Sequence, residues 1–456
     1  MSSELISSLW QLALGARAMS METIPEPVKN QGRLCILDTA GCILAGSRTD
    51  EAQLVLACEP GGGDESVSIL GTPHRRAWRE AIRINGYAGD VLELNDLIGG
   101  HASIGNVCAA LVLGEALGSS GARVLEAVVR GIEVTSRVYE AVYPSLRRYT
   151  EMALVPVGIP SSIGAAVAAA HLLDLNEQQT LNAMSIAGGL AGWCPAEAIF
   201  GDGGTVKPML FGAQPADVGV TAAYYARAGM TGPGNLLDSK LGYFATASTA
   251  GRFDAGAWVD RWALSAPRRK LHACCGYLHA PVDALYKLRQ HLGQGTLREG
   301  RAEVRVAPYV ADVVSKDRLP ISPNDARFHL QYCLAVVACG ADAILPEHSM
   351  QLAQQLQCAD VLEAMQRITV VHDSELAHYH HCRIDVTTAS GESVSQSVSA
   401  PRGSPQEALS DEEVIGKFRV LAEPVLGRER AQRAMAACLA LEEVANIRDV
   451  LASLST

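Results

Sequence analysis

Apolar residues recur at helical spacing through the first half of the chain, with polar residues between them. The pattern predicts helices over residues 4–22, 33–47, 76–88 and 104–117 and one that begins at Ser119. Residues 161–173 are apolar on every side, which predicts a buried central helix. Asn176 and Gln179 form a capping box that predicts the start of the next helix. Alanine and glycine are frequent from 100 to 230, so we expect these helices to pack closely.

The pattern changes near Pro267, where short extended runs begin to alternate with helices. The predicted strands cover residues 302–308, 367–372, 382–388 and 393–399, and the predicted helices lie near 280–291, 326–340 and 346–358. This mixture is typical of an α+β domain. Beyond Pro405 a capping box at Ser410–Glu413 starts a further helix. We predict a mainly α-helical domain of residues 1–266, an α+β domain of residues 267–405, and a helical tail, 406–456, that returns to the first domain.

Composition and charge narrow the possible partners. The chain has 456 residues, enough for two or three domains, and 48% of them are hydrophobic. The net charge of −11 at pH 7 provides no basic field for nucleic acid or for an anionic membrane. The longest apolar segment, 163–173, is too short to span a bilayer. Twelve scattered cysteines without a secretory signal are typical of reduced thiols, so we expect a cytoplasmic protein.

One lysine stands in an unusual setting between a glycine-rich turn and a run of small residues. Gly203 and Gly204 precede Lys207, and residues 213–223 are predicted to form a tightly packed helix. Pro208 suits the first turn of a helix, where its missing N–H is not needed. Lys207 is thus expected just before a helix start, where anions bind favourably. From this stretch alone, an ordinary surface lysine in a loop is the alternative.

Three further segments give this lysine a context. They are Gly86–Asp96 leading to His101, Arg269–Ala284 and Asp325–Tyr332. Together with Gly204–Gly212 they resemble the MmgE/PrpD family, which includes 2-methylcitrate dehydratase, cis-aconitate decarboxylase and iminodisuccinate epimerase. The resemblance covers roughly residues 30–425. It implies a large helical domain with a smaller α+β domain, a homodimer, a site between the domains, and neither a metal nor an organic cofactor.

Position by position, the resemblance also assigns residues to the site. Lys207 and Lys270 match the lysines of the family, and His101 and His279 match two of its histidines. The usual Asp-Phe-Asp-Asp-Thr of the family is Glu93-Leu-Asn-Asp-Leu97 here, so its threonine is lost.

Other departures remove histidines. The histidine expected before the central helix is Val155, and the one two residues after Lys-Pro is Leu210. Cys275 stands where the decarboxylase has a histidine. The chain therefore keeps the lysines of the family but lacks several of its acid–base groups.

The resemblance implies a small di- or tricarboxylate substrate, which needs fixed cations. The predicted substrate-binding residues are Arg147, Arg148, Arg268, Arg269, Asp96, Glu93, Cys275 and His279. A lysine desolvated beside other cations has a lowered pKa and can abstract a proton next to a carboxylate. We therefore predict that Lys207 and Lys270 are catalytic, with His101 or Tyr149 supplying a proton from the opposite face. Arg147 and Arg148 as a solvated surface pair are the alternative interpretation.

Loss of histidines at 155 and 210 affects elimination of water more than epimerisation. The first hypothesis is therefore a cofactor-independent epimerase acting on an imino- or amino-linked dicarboxylate such as iminodisuccinate. The alternatives are a lyase of the same family, either a 2-methylcitrate-type dehydratase or a cis-aconitate-type decarboxylase, and a catalytically silent protein that binds polycarboxylates.

Two other features carry expectations of their own. Residues 140–160 combine aromatic and basic side chains with two prolines, so we predict a lid over the site, with 143–156 becoming ordered when ligand binds. The cluster of His372, His378, His380, His381 and Cys382 looks like a metal site. A strand, however, would point neighbouring residues to opposite faces, so we predict exposed strand histidines and no metal.

Overall fold

The first part of the chain folds almost entirely into helices, as its apolar pattern predicts. The computed structural model describes residues 7–62, 66–149, 151–201, 204–253 and 261–456. The helices are α1 (Ser8–Ala18), α2 (Glu26–Gly46), α3 (Asp50–Cys58), α4 (Trp78–Val91), α5 (Ala102–Leu117), α6 (Gly121–Glu140), α7 (Gly158–Leu172), α8 (Glu177–Leu190), α9 (Ala196–Gly201), α10 (Gln214–Arg227) and α11 (Tyr243–Ala247). A short antiparallel hairpin joins β1 (Val67–Ser68) to β2 (Arg75–Arg76).

Helix α7 is the buried centre of this part and packs against α5, α6, α8 and α10. Its small residues let neighbouring backbones approach closely. A Cβ atom added to Gly219 of α10 would lie 2.5 Å from the Cβ of Ala165 in α7. The predicted capping box of Asn176 and Gln179 is confirmed at the start of α8. The central helix and its close packing are therefore set by the small, apolar sequence of these segments.

The second part of the chain is an α+β structure. Its helices are α12 (His279–Leu292), α13 (Gln294–Glu299), α14 (Pro308–Val314), α15 (Pro323–Arg327), α16 (Leu330–Ala338), α17 (Pro346–Met350), α18 (Leu352–Gln355) and α19 (Ala359–Gln366). Its strands are β3 (Arg301–Val306), β4 (Ile368–His372), β5 (Cys382–Thr387) and β6 (Ser393–Val398). These strands agree with the four predicted ones to within two residues at either end.

The four strands form a mixed sheet in the order β4-β3-β5-β6. Strand β3 runs parallel to β4 and antiparallel to β5, and β5 runs antiparallel to β6. In β5 the side chains of Cys382, Ile384 and Val386 are buried, and α12 packs on β5 and β6. The alternation of the sequence thus decides which face of the sheet carries the helix.

The C-terminal helices are α20 (Asp411–Leu426), α21 (Arg428–Leu439) and α22 (Ile447–Ser453). Helices α20 and α21 pack against α2, and α22 packs against α5. The buried face of α20 includes Val414, Phe418 and Leu421. The predicted fold class, a mainly α-helical part with a smaller α+β part, is confirmed. Within the described residues, no helix combines the length and the apolarity that crossing a membrane would require.

Candidate active site

Lys207 lies at the start of the helical turn that leads into the π-helical segment Met209–Ala213, and its side chain is fully buried. Its ammonium donates a hydrogen bond to Asp90 Oδ2 at 2.7 Å and another to Glu93 Oε1. Asp90 stands in the last turn of α4, and Glu93 follows that helix with a positive φ of 55°. The end of α4 therefore brings two buried carboxylates onto one buried ammonium.

Lys270 joins the same centre from the segment that precedes the α+β part. Its ammonium donates to Glu93 Oε2 at 2.8 Å and to the Glu93 carbonyl oxygen at 2.9 Å. Glu93 thus bridges the two lysines that the sequence predicts to be catalytic. Because all of these groups are buried, water screens their charges little and the interactions are strong.

The pKa values show which of these groups carry charge. Burial favours a raised pKa for Glu93, but Lys207 and Lys270 outweigh it and hold the pKa below its usual range. For Asp90 burial dominates and raises the pKa, with Lys207 opposing. Burial favours a lowered pKa for Lys207, but Asp90 and Glu93 outweigh it and raise the pKa. The predicted lowering of the Lys207 pKa is therefore wrong, because the carboxylates keep this lysine an ammonium.

His101 lies beside the lysines as the N-terminal cap of α5, with a φ of 79° and only 8% of its surface exposed. Its Nδ1 lies 2.8 Å from Asn95 Oδ1, and Asn95 Nδ2 donates to Asp90 Oδ1 at 2.6 Å. With the Asn95 amide assigned in this way, Nδ1 carries the proton and Nε2 is the acceptor nitrogen. Burial, Lys270 and Lys207 lower the His101 pKa, so the ring is neutral.

An apolar cluster lies against this centre. The ring centroid of Phe211 is 4.2 Å from Lys207 Nζ and 5.3 Å from the centroid of His101. Phe211 packs with Val155, Val157 and Ile199. Val155 belongs to the predicted lid, so the structure places this end of the lid next to the lysine centre. Thr150 of the lid lies outside the described residues, and the predicted ordering of the lid by ligand stays a prediction.

Three protonated side chains stand on the Lys270 side of the centre. Burial and then Glu93 raise the pKa of the Cys275 thiol to about 12, with Lys270 opposing. Tyr277 OH donates a hydrogen bond to Tyr149 OH at 2.9 Å. Burial raises the Tyr149 pKa to about 12, and the Cys275 thiol adds to the shift. The structure therefore places Cys275 near Glu93 and Lys270, and Tyr149 next to Cys275 and Tyr277, both in their proton-bearing forms.

Two of the predicted arginines, Arg268 and Arg147, make their hydrogen bonds outside the lysine centre. Arg268 donates to Tyr379 OH at 2.8 Å, and its guanidinium lies 5.9 Å from the ring centroids of both Tyr143 and Tyr379. Arg147 donates to the carbonyl oxygen of Ala245 at 3.2 Å, while Arg148 is exposed. Aromatic rings and α11 therefore hold two of these arginines and the third is exposed, and their predicted role in substrate binding stays a prediction.

Arg269 and Asp96 belong to a second buried cluster. Arg269 donates to Gln31 Oε1 at 2.7 Å, which turns its guanidinium towards α2. Burial raises the pKa of Asp96 to about 6; the hydrogen bond from Ser103 opposes this, and nearby Asp38 adds to it. The predicted substrate-binding role of these two residues stays a prediction.

The surroundings of His279 are those of a core residue. It is buried in the core of the α+β part, with its ring edge-on to His272 at 4.9 Å between centroids. Burial and then His272 lower its pKa. Lys270 adds to the lowering of this pKa, and the predicted role of His279 in binding substrate stays a prediction.

Three residues of the centre, Asp90, Asn95 and Tyr277, were not among the predicted site residues. Asp90 precedes Glu93 by three positions, and the end of α4 between them brings both carboxylates to Lys207. This spacing was a signal that could have identified Asp90. Asn95 connects Asp90 to His101, and Tyr277 holds Tyr149; neither contact has a local sequence signal, since each depends on tertiary packing.

The histidine-rich segment differs from its prediction. His378, His380 and His381 lie in the loop after β4, not on a strand, and the rings of His378 and His380 both pack on Tyr379. His380 is buried. The described part of the chain contains no group of three or more His, Cys, Asp or Glu side chains arranged to hold a metal ion. Of the glycine-rich turn before Lys207, Gly203 lies outside the described residues, and the Gly204 carbonyl accepts from Asn324 Nδ2 at 3.1 Å.

The chain combines a helical part with an α+β part. Its buried centre contains Lys207 from the helical part and Lys270 from the segment that leads into the α+β part. These features define a class of two-part helical proteins with a buried polar site. Comparison of the sequence with family models identifies the class. The chain belongs to the MmgE/PrpD family: the MmgE/PrpD N-terminal domain matches residues 11–255, and the MmgE/PrpD C-terminal domain matches residues 272–441.

Relatives with assigned names cover nearly the whole chain. The cis-aconitate decarboxylase-like protein oryM of Aspergillus oryzae is 27% identical over 95% of this chain and 94% of its own length. A cis-aconitate decarboxylase of Aspergillus terreus is 24% identical over 96% and 93%. The cis-aconitate decarboxylase of Mus musculus is 23% identical over 93% and 89%.

Proposed function

We propose that this protein is a lyase that decarboxylates a small unsaturated tricarboxylate of the cis-aconitate type. The observation that carries the proposal is the contact of Lys207 with Asp90 and Glu93, which keeps the lysine charged. A lysine held in this form is a fixed cation and a poor base. Decarboxylation needs fixed cations and a proton donor, whereas epimerisation must begin with a base. The names of the relatives support the same choice.

In the proposed reaction the bond between a carboxylate carbon and its neighbour breaks, and carbon dioxide leaves. The electron pair stays on the substrate, delocalised over the adjacent double bond and a second carboxylate. Lys207 and Lys270 stabilise this negative charge, because cations in a buried site act with little screening. A proton then adds to carbon, which completes the product with the double bond moved by one position.

The charge of the centre suits such a substrate. The ammoniums of Lys207 and Lys270 face the carboxylates of Asp90 and Glu93, and the raised pKa of Asp90 lowers the cost of protonating it when substrate carboxylates enter. The substrate carboxylates then share both ammoniums with Glu93. His101, Phe211 and Cys275 surround this position with neutral groups.

Tyr149 is the proposed proton donor. Its phenol is protonated, and the hydrogen bond from Tyr277 fixes its oxygen. His101 presents an acceptor nitrogen at Nε2 and becomes a donor only if substrate carboxylates raise its pKa. Tyr149 can therefore protonate the carbanion without a prior change in its own protonation state, whereas His101 cannot.

Epimerisation of an imino-linked dicarboxylate is the second candidate. The neutral Nε2 of His101 can accept a proton, and Tyr149 can return one from another direction. Val155 and Leu210 are apolar where the family carries histidines, and they pack with Phe211. Without histidines at these two positions, fewer acid–base groups are left for the elimination of water. This favours a reaction that needs one proton acceptor and one proton donor.

Incubation in deuterated water separates the candidates. With cis-aconitate we expect release of carbon dioxide and one deuterium on a new product carbon, observed by proton NMR. With iminodisuccinate the second candidate predicts deuterium at the α-carbon without carbon dioxide. Binding of both compounds without either change would overturn the proposal and leave a silent polycarboxylate-binding protein.

A further inference from the structure

A third buried lysine lies behind the candidate active site. Lys417 is on α20, and only 5% of its side chain is exposed. Its ammonium donates to the Leu94 carbonyl oxygen at 2.8 Å and to the Lys270 carbonyl oxygen at 2.8 Å, and it lies 2.7 Å from Asp38 Oδ1. An ammonium has three N–H donors, and the two carbonyl oxygens take up two of them.

The two carbonyl groups belong to the segments that carry the catalytic centre. Leu94 directly follows Glu93, and the other carbonyl is that of Lys270 itself. A backbone hydrogen bond from Leu97 N–H to the Arg268 carbonyl at 2.9 Å links the same two segments. On the opposite side of this backbone junction, Lys270 Nζ meets Glu93 Oε2 at 2.8 Å. Lys417 thus holds the two main chains at the place where their side chains must meet.

The pair of Lys417 with Asp38 has a different role from the carbonyl contacts. Neither carboxylate oxygen of Asp38 has a hydrogen bond of good geometry among the described residues, although the ammonium is 2.7 Å away. Asp38 therefore balances the charge of the Lys417 ammonium, while the hydrogen bonds to the two carbonyl oxygens fix the position of the main chains. Burial favours a lowered pKa for Lys417, but Asp38 outweighs it, so the lysine stays charged.

We infer that Lys417 is a positioning residue of the active site, which sets the separation of Glu93 and Lys270 through their main chains. Displacement of catalytic groups by about 1 Å typically costs about 10²-fold in rate. The expected effect of Lys417 on turnover rests on the proposed function. Its expected effect on the order of the Glu93 and Lys270 segments does not.

The test separates positioning from stability. Lys417→Met alone leaves Asp38 as an uncompensated buried charge and destabilises the fold, so the informative protein is Lys417→Met combined with Asp38→Asn. We expect this double variant to regain a melting temperature near that of the wild type. We expect its kcat for cis-aconitate to fall about 10-fold or more, because the carbonyls of Leu94 and Lys270 lose their shared donor.

Hydrogen exchange gives a readout that does not need turnover. In the double variant, peptides covering 93–101 and 268–276 should exchange faster, while α7 should not change. Arg289→Met is the matched control, since Arg289 is a buried cation that donates to the carbonyls of Val337 and Ala341 and pairs with Asp342 inside the α+β part. The control should leave exchange of both peptides and kcat unchanged.

The outcomes are distinct. Wild-type exchange and wild-type turnover in the double variant would overturn the inference. A wild-type protein that is inactive on cis-aconitate would overturn the proposed function only, and the exchange of the two segments would still decide the role of Lys417.

Discussion

Glu93 Oε2 accepts a hydrogen bond from Lys270 Nζ at 2.8 Å, and this contact joins the end of α4 to the segment that leads into the α+β part. Because Glu93 also accepts from Lys207, the cations expected to bind substrate already have a partner. A substrate carboxylate must therefore compete with a carboxylate of the protein. This competition makes the side chain at position 93 a control point for affinity.

Replacement of Glu93 by glutamine should strengthen the binding of a polycarboxylate. The variant removes the competing anion while keeping the shape, so we expect citrate to bind about 10-fold more tightly, or about 1.4 kcal/mol. Titration calorimetry measures the dissociation constant, and thermal shift in citrate gives an independent check. Asp342→Asn, which alters the ion pair with Arg289, is the control and should leave affinity unchanged. Weaker citrate binding in Glu93→Gln would contradict the competition.

Substitutions of Lys207 distinguish a cation from a base. Lys207→Met should lower kcat by about 10²-fold or more, the scale for loss of a charge that stabilises the transition state. Lys207→Arg keeps the charge and cannot act as a base, so it should retain clearly more turnover than Lys207→Met. Steady-state kinetics with cis-aconitate provide the comparison. Equal, complete loss in both variants would instead favour a base at this position.

Tyr149 and His101 are tested as a pair of proton-transfer candidates. If Tyr149 protonates the carbanion, Tyr149→Phe should reduce kcat by about 10²-fold while His101→Asn has a smaller effect. Carbon dioxide release and deuterium incorporation should fall together in Tyr149→Phe. The reverse order of effects would transfer the donor role to His101.

Asp96 should make stability depend on pH. Its folded pKa of about 6 lies above the ordinary value of 3.8, so the folded protein disfavours the ionised form. Ionisation of Asp96 therefore lowers the free energy of unfolding. This loss of stability is absent well below pH 4, grows as the pH rises and reaches its full size above about pH 6. Asp96→Asn should therefore raise the free energy of unfolding at pH 8 by on the order of 3 kcal/mol and leave it nearly unchanged at pH 3.5.

Urea unfolding at these two pH values measures the difference for the Asp96 variant. Asp342→Asn serves again as a comparison, because Asp342 has a largely exposed carboxylate. A stabilisation of equal size at both pH values would show that ionisation of Asp96 is not its source.

The local pattern of apolar and polar residues was sufficient to predict much of the fold. The four strands, the buried helix α7 and the capping boxes at Asn176 and Ser410 follow from period, composition and turn chemistry. The residues of the site were harder to predict. Lys207, Lys270 and His101 were assigned by resemblance, and the structure brings them together around Glu93.

The errors have a common physical origin. The expected pKa of Lys207 was wrong because sequence does not show that Asp90 and Glu93 face it. Arg269 and its neighbour Lys270 point to different clusters, and nothing local to that pair indicates which one faces the site. Lys417 had a usable signal, since it lies on the buried face of α20 between Val414 and Leu421. A cation among apolar positions of a helix is rarely buried without a partner.

The position of Lys417 on α20 also bears on how the protein is made. Synthesis runs from the N-terminus, so Asp90 and Glu93 leave the ribosome long before the helix that supplies Lys417. Until then the Glu93 and Lys270 segments lack their shared donor, and the growing chain holds carboxylates and ammoniums that are not yet locked in place. The junction of these two segments is therefore completed late in synthesis, and a chain truncated before α20 should lack the donor that joins them.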